Sequence, residues 1–154
     1  MKKILALVLA LAMMAVLACS AIAEQPTYHF EIVSKGFQST YWQAVLKGTE
    51  ARTKEINDEA GYEKITFQFV GPDAESNVAQ QVSQFESAVN ASPAAIGFAA
   101  VDQEAFVDLI AQAQSKNIPI IGFDSGVPGA PEGAVYANAS TDNYAAGGVA
   151  AEGM

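Results

Sequence analysis

A single cysteine, Cys19, rules out a disulfide within this 154-residue chain, so the fold must rest on a buried core. Histidine is as scarce, with His29 alone. Positive charge is thin: Lys and Arg number 8 against 17 Asp and Glu, the formal net charge is −9, and no basic cluster occurs. A chain this acidic repels phosphate backbones, which argues against nucleic acid as a partner. Phosphate cradles are missing too. No G-x-G-x-x-G follows the first strand pattern and no G-x-x-x-x-G-K-S/T occurs, so nucleotide cofactors lack their loop and no cofactor is expected. Long hydrophobic runs are absent apart from Ile4–Leu17, which falls short of the about 20 residues a membrane-spanning helix needs.

That run has a different meaning. Lys2 and Lys3 precede it and small residues follow, the three-part pattern of a secretory signal peptide. Cleavage after Ala21-Ile22-Ala23 fits the small-x-small rule and makes residues 1–23 the signal. A rival reading stays open: Val16-Leu17-Ala18-Cys19 is an imperfect lipobox, with Val16 where leucine is usual, and would make Cys19 a lipidated N-terminus. Either way the chain is exported, to the periplasm or the cell surface. Its only membrane association would be through the Cys19 lipid.

Beyond the signal, strand and helix patterns alternate. "YHFEIVS" (28–34) and "KITFQFV" (64–70) are rich in β-branched and aromatic residues. "AAIGFAA" (94–100) and "IPIIGF" (118–123) are continuous apolar runs, as strands covered on both faces should be. A fifth strand, "AVYANA" (134–139), follows the Pro/Gly-rich "GVPGAPEG". Three helical stripes lie between: Trp42, Val45, Leu46, Thr49; then Val78, Val82, Phe85, Val89; then Phe106, Leu109, Ile110, Ala113. Ser39 or Thr40, Asp73 and Asp102 are placed to cap them. Such alternation predicts an α/β fold, a parallel sheet with βαβαβαβ connectivity. "STDNYAAGGVAAEGM" opens like a capped helix with no stop signal, which reads as a fragment of a longer chain.

In open parallel sheets, ligands bind at the carboxyl ends of the strands. Asp124 stands at such an end, and Gly122 and Gly126 around it allow close backbone approach. A carboxylate there can accept hydrogen bonds from neighbouring hydroxyls, the usual way to hold a polyol. "SKGFQSTYW" (34–42) leaves the first strand at the same end. Gln38 and Ser39 offer polar groups for hydroxyls, and Tyr41 or Trp42 offers a face for stacking on a sugar ring. Adjacent on a helix, the two aromatics point about 100° apart, so one packs inward and the other faces the cleft. Catalysis is not supported. "GFDSG" misplaces the serine of a nucleophile elbow, and His29 lies at the far end of the first strand. The carboxylates Asp58, Glu59, Asp73 and Glu75 lack metal-ligand spacing, so no metal site is expected.

From about Tyr28 to its end, the chain resembles the periplasmic sugar-binding proteins of ABC transporters, the ribose-binding type within the LacI-like superfamily. The markers are "STYW" with "KGTE", "GPDAESNVAQQVSQFESAV", "IPIIGFDSG" and "NASTDNYAAGG". The resemblance implies a type I periplasmic-binding-protein fold of two similar lobes that close on a sugar. It implies a monomer when full length, about twice this length. Residues 24–134 would be the first lobe, and 135–154 the crossing strand and start of a second lobe largely missing from this chain. The implied ligand contacts are Gln38, Ser39, Tyr41, Trp42 and Asp124. Ser39 replaces an asparagine of the ribose binder and Ser125 an arginine, which counts against ribose itself and leaves Ser125 as the contact at that place. "VSKG", "GPDAES" and "FDSG" are also similar to members binding autoinducer-2 or rhamnose, which implies a contact from Lys35.

The function implied is capture of a monosaccharide, a pentose or hexose, and delivery to ABC permease subunits. An autoinducer-2 or rhamnose-like ligand is the alternative, as is a sensing role for a chemoreceptor or sensor kinase. A LacI-type repressor would share the fold, but the signal peptide and the lack of DNA-binding helices before Tyr28 oppose it.

Overall fold

The computed structural model describes residues 25–154. The signal peptide, its cleavage after Ala23 and the Cys19 alternative therefore lie outside the described residues. Strands β1 (Tyr28–Val33), β2 (Ile65–Val70), β3 (Ala95–Phe98), β4 (Ile120–Phe123) and β5 (Val135–Ala139) form one sheet in the order β2-β1-β3-β4-β5. Every neighbouring pair is parallel. Helices α1 (Thr40–Ala60), α2 (Val78–Asn90) and α3 (Val107–Ser115) follow the first three strands, and α4 (Asn143–Glu152) follows β5. The α/β class and the βαβαβαβ order are those expected. No helix separates β4 from β5. The segment 124–134 makes that crossover alone, and a register shift between Ile120 and Ile121 accommodates Tyr136.

Alternation along the strands sends residues to opposite faces. Val33, Ile96, Phe98 and Ile120 meet Phe85, Val89, Phe106, Ile110 and Ala113 of the α2–α3 layer, and this is the main core. Three rings pack at its centre, with Phe98 4.6 Å from Phe85 and 4.8 Å from Phe106. On the other face Trp42 of α1 meets Phe123 at 5.9 Å between ring centroids. Trp42 is the only fully buried residue of α1, so Val45, Leu46 and Thr49 of the expected stripe are only half-buried.

Two of the three expected caps are corrected. Ser39 does cap α1, its hydroxyl accepting the Tyr41 N–H at 3.3 Å, and Gly61 at φ +74° ends that helix. Asn77, not Asp73, caps α2; Asp73 Oδ2 instead accepts from Gln80, and the turn 73–76 delays the helix. Asp102 caps no helix: it accepts the N–H groups of Glu104 and Ala105 in a turn ahead of α3, whose cap position is Phe106. Those two amides hold the Asp102 carboxyl below the usual carboxylate range. Asp142 caps α4 as a helix opening at "STDN" requires. No residue of α4 is buried, and Tyr136 and Tyr144 are 83% and 95% exposed.

Candidate functional site

The carboxyl ends of β1, β4 and β5 lie at one edge of the sheet. β3 stands between β1 and β4, so the loops leaving those strands start about 10 Å apart, two strand spacings. A long side chain crosses the gap. Lys35, two residues past β1, places Nζ 2.6 Å from Oδ2 of Asp124, the residue after β4. Ala99 and Ala100 fill the end of β3 between them with methyl groups only: the Ala99 N–H bonds the Val33 carbonyl, and the Ala100 carbonyl accepts from Ser125 Oγ at 2.8 Å.

Asp124 has φ +61°, a left-handed conformation that aspartate adopts more readily than most residues. Its N–H donates to the Ala139 carbonyl at 2.9 Å, tying it to the end of β5. Both members of the ion pair remain partly exposed, at 21% for Lys35 and 31% for Asp124. A pair this wet adds little to stability. What it does is fix a donor and an acceptor side by side at the strand ends.

Beside them is an open cleft of about 260 Å³, lined by Tyr41, Phe123, Asp124, Ala139, Ser140 and Thr141. The two aromatics of α1 divide as their angular separation requires, and the structure says which is which. Tyr41 is 54% exposed and lines the cleft. Trp42 is 1% exposed, and its indole N–H donates to Glu75 Oε1 at 2.9 Å. Tyr41 stands edge-on to Trp42 at 4.8 Å, so Trp42 backs the exposed ring.

The other expected residues fall outside this lining. Gln38 is exposed in the loop before α1, and Ser39 is occupied as its cap. The Ser125 hydroxyl proton is committed to the Ala100 carbonyl. Sequence reasoning passed over Phe123, Ser140 and Thr141. The last two stand in the sequence as part of the marker "NASTDNYAAGG" and as the approach to a helix, and they follow β5 at the same sheet edge as Asp124.

The loop that carries Lys35 is held from below. Ser34 bonds the Val70 carbonyl through both its N–H (2.8 Å) and its hydroxyl (3.1 Å), and the Phe37 N–H bonds the Pro72 carbonyl at 3.0 Å. Gly71 lies under this contact. A Cβ there would stand 2.3 Å from Ser34 Oγ and 3.1 Å from the Phe37 nitrogen, so backbone must move. Gly71→Ala is expected to destabilise the protein by about 1–3 kcal/mol through overpacking. A thermal denaturation midpoint equal to that of the parent would refute this close approach.

A second hollow of about 270 Å³ lies between α2 and β1–β2, lined by Glu31, Gln68, Ser83, Gln84 and Ser87 among others. It is on a face of the sheet rather than at the strand ends, and holds none of the expected site residues. His29, at the start of β1, is bonded to Thr66 and to Glu31 of this lining. Among the described residues no group of three His, Cys, Asp or Glu could hold a metal ion, and no helix is long and apolar enough to cross a membrane.

The chemistry at the strand ends suits an uncharged polyol. Asp124 accepts from hydroxyls, Lys35 donates to them, Ser140 and Thr141 do either, and Tyr41 and Phe123 offer apolar ring faces.

Comparison with known proteins gives the same direction. The family model described as "periplasmic binding protein domain" matches residues 30–154. Among solved structures, an ABC transporter, LacI family transcriptional regulator from Brachyspira murdochii is 42% identical, with a TM-score of 0.74, over 83% of this chain and 38% of its own. An ABC transporter solute-binding protein from Agrobacterium vitis with bound D-fucose is 35% identical, TM-score 0.68, over 82% of this chain and 41% of its own. A carbohydrate transporter solute-binding protein from Agrobacterium radiobacter in complex with D-arabinose is 32% identical, TM-score 0.65, over 87% and 41%. The chain thus spans about two fifths of the length of these relatives. No curated protein matches the chain.

Proposed function

The chain belongs to the periplasmic binding protein family, and on that premise we propose that it is the sugar-capturing first lobe of an extracytoplasmic solute-binding protein serving an ABC importer. Residues 24–134 form that lobe, and 135–154 the crossing strand and start of the second. The ligand is a neutral monosaccharide, a pentose or hexose. The observation that carries this is the Lys35–Asp124 pair at the mouth of a cleft backed by Tyr41. The opposite charges of the pair leave no excess of either sign for a charged ligand to match. Each can serve a different hydroxyl of one ring while Tyr41 stacks on its C–H face. Two relatives, named with D-fucose and D-arabinose, support the class of ligand.

The mechanism is closure, not chemistry. A cleft this open cannot enclose a sugar by itself, so contacts from a facing surface complete the site. The sugar stabilises the closed form only by as much as it binds that form better. The family is one of binding proteins, and the captured sugar is released unchanged to the permease subunits. A rhamnose-like or autoinducer-2 ligand is a second reading, favoured by the reach of Lys35 into the site.

A thermal-shift panel on the full-length protein tests both. D-fucose, D-arabinose, D-galactose and L-rhamnose, each at about 100 times a micromolar-range dissociation constant, would stabilise a binder by about 2.7 kcal/mol. The expected result is a clear rise in Tm with at least one sugar. Silence across the panel would remove the sugar-capture reading.

A further inference from the structure

Gln81 lies on the apolar stripe of α2 and is 0% exposed, where a hydrophobic residue would be the ordinary choice. Its whole amide is spent on backbone. Nε2 donates to the carbonyls of Ser34 at 2.7 Å and Ala99 at 2.8 Å, and Oε1 accepts the Val101 N–H at 2.9 Å. These groups belong to the ends of β1 and β3, where the ladder between the two strands has just finished. Ser34 immediately precedes Lys35. Ala99 and Val101 flank Ala100, whose carbonyl holds Ser125, the neighbour of Asp124. One buried side chain therefore ties the backbone under Lys35 to the backbone that anchors the Asp124 turn.

We propose that Gln81 is a positioning residue that sets the separation of Lys35 and Asp124, and thereby the monosaccharide affinity of the cleft, without touching the sugar. This rests on the sugar-capture reading above. A leucine or methionine could fill the same volume in the core, but it would leave two buried carbonyls and one half-buried N–H unpaired at the lip of the site. Those groups would turn to find water, and the loops bearing them would move with them.

The test compares Gln81→Leu and Gln81→Glu with Ile110→Val in the full-length protein. Ile110 is buried in the same core but has no side-chain tie to the cleft. Two readouts are taken well below each variant's Tm: affinity for D-arabinose and D-fucose by calorimetry, and the backbone amide resonances of Lys35, Asp124 and Ser125 without sugar. Gln81→Leu should weaken binding at least tenfold and shift all three amides. Ile110→Val should lower Tm and change neither. A folded Gln81→Leu protein with affinity within twofold of the parent and unmoved amides at Asp124 and Ser125 overturns the proposal, leaving Gln81 a purely structural residue. Gln81→Glu keeps the acceptor for Val101 and loses both donors, and is judged by the same criteria where Gln81→Leu does not fold. If the unsubstituted protein binds neither of these, D-galactose and L-rhamnose take their place; if it binds none of the four, the sugar-capture reading fails instead, and the amide shifts alone decide whether Gln81 positions the pair.

Discussion

Replacing Asp124 with asparagine is expected to weaken monosaccharide binding by more than a hundredfold while the protein stays folded. The carboxylate holds Lys35 Nζ at 2.6 Å, and in the proposed site it also accepts sugar hydroxyls. A hydrogen bond to a charged group contributes about 1.5–3 kcal/mol. Two hydroxyls held by Asp124 in the proposed site would therefore account for about 3–6 kcal/mol, which is beyond a factor of 100 in affinity. The amide removes the charge, turns one acceptor into a donor, and leaves Lys35 without its counter-ion. Alanine is the poorer substitution here. At φ +61° it adds about 1–2 kcal/mol of backbone strain to whatever the missing carboxylate costs, whereas asparagine visits this region readily. Calorimetry with D-arabinose and D-fucose, beside circular dichroism of the same sample, separates loss of binding from loss of fold. An Asp124→Asn protein that binds as the parent does would remove Asp124 from the site and leave the cleft without its main acceptor.

The architecture was largely written in local pattern, because runs such as "KITFQFV" and stripes such as Val78, Val82, Phe85 and Val89 are each set by a single period. Strand ends came within two residues, as with 118–123 against Ile120–Phe123. Errors arose where one residue had two local partners to choose from. Asp73 and Asp102 each precede an apolar stripe and look like caps, yet the first is taken by Gln80 and the second closes its own turn. Asp102 found amides nearer than the helix could offer, and Asp73 met the side chain of Gln80 rather than a backbone N–H of the helix.

The site was legible in part, for a related reason. Strand-end position singled out Asp124 and the 34–42 segment, but it says nothing of contacts across strands. That Lys35 meets Asp124 depends on β3 lying between β1 and β4 and ending in two alanines, a matter of sheet order rather than of sequence neighbourhood. The division of Tyr41 and Trp42 was equally hidden. A buried indole needs an acceptor, and the one it has, Glu75, comes from the loop after β2. Ser140 and Thr141 could have been found by asking which polar residues follow each strand at the carboxyl edge. Gln81 could not: a glutamine on an apolar stripe gives no sign of which backbone groups it will serve.

The largest loss of stability is expected from Phe85→Ala. Phe85 is 0% exposed and joins three parts of the fold at one point, α2 through its own backbone, β3 through Phe98, and the entry to α3 through Phe106 at 5.8 Å. Removing the ring loses its burial and opens a cavity that rings on two other elements cannot both collapse to fill, a cost of about 3–5 kcal/mol. Set against the 5–15 kcal/mol of an ordinary domain, that leaves a protein close to unfolding at moderate temperature. Urea denaturation followed by far-UV circular dichroism measures the change. Trp42, the chain's one tryptophan, gives a second signal from the opposite face of the sheet. If the two layers unfold together, both signals shift to the same lower midpoint. If dichroism falls early while Trp42 fluorescence holds, the α2–α3 layer is a separate cooperative unit. A loss under about 1 kcal/mol would mean the three-ring cluster is not the centre of the core. The site should follow the core in this variant: Gln81 lies one helical turn before Phe85 on α2, so loosening that turn also loosens the hydrogen bonds beneath Lys35.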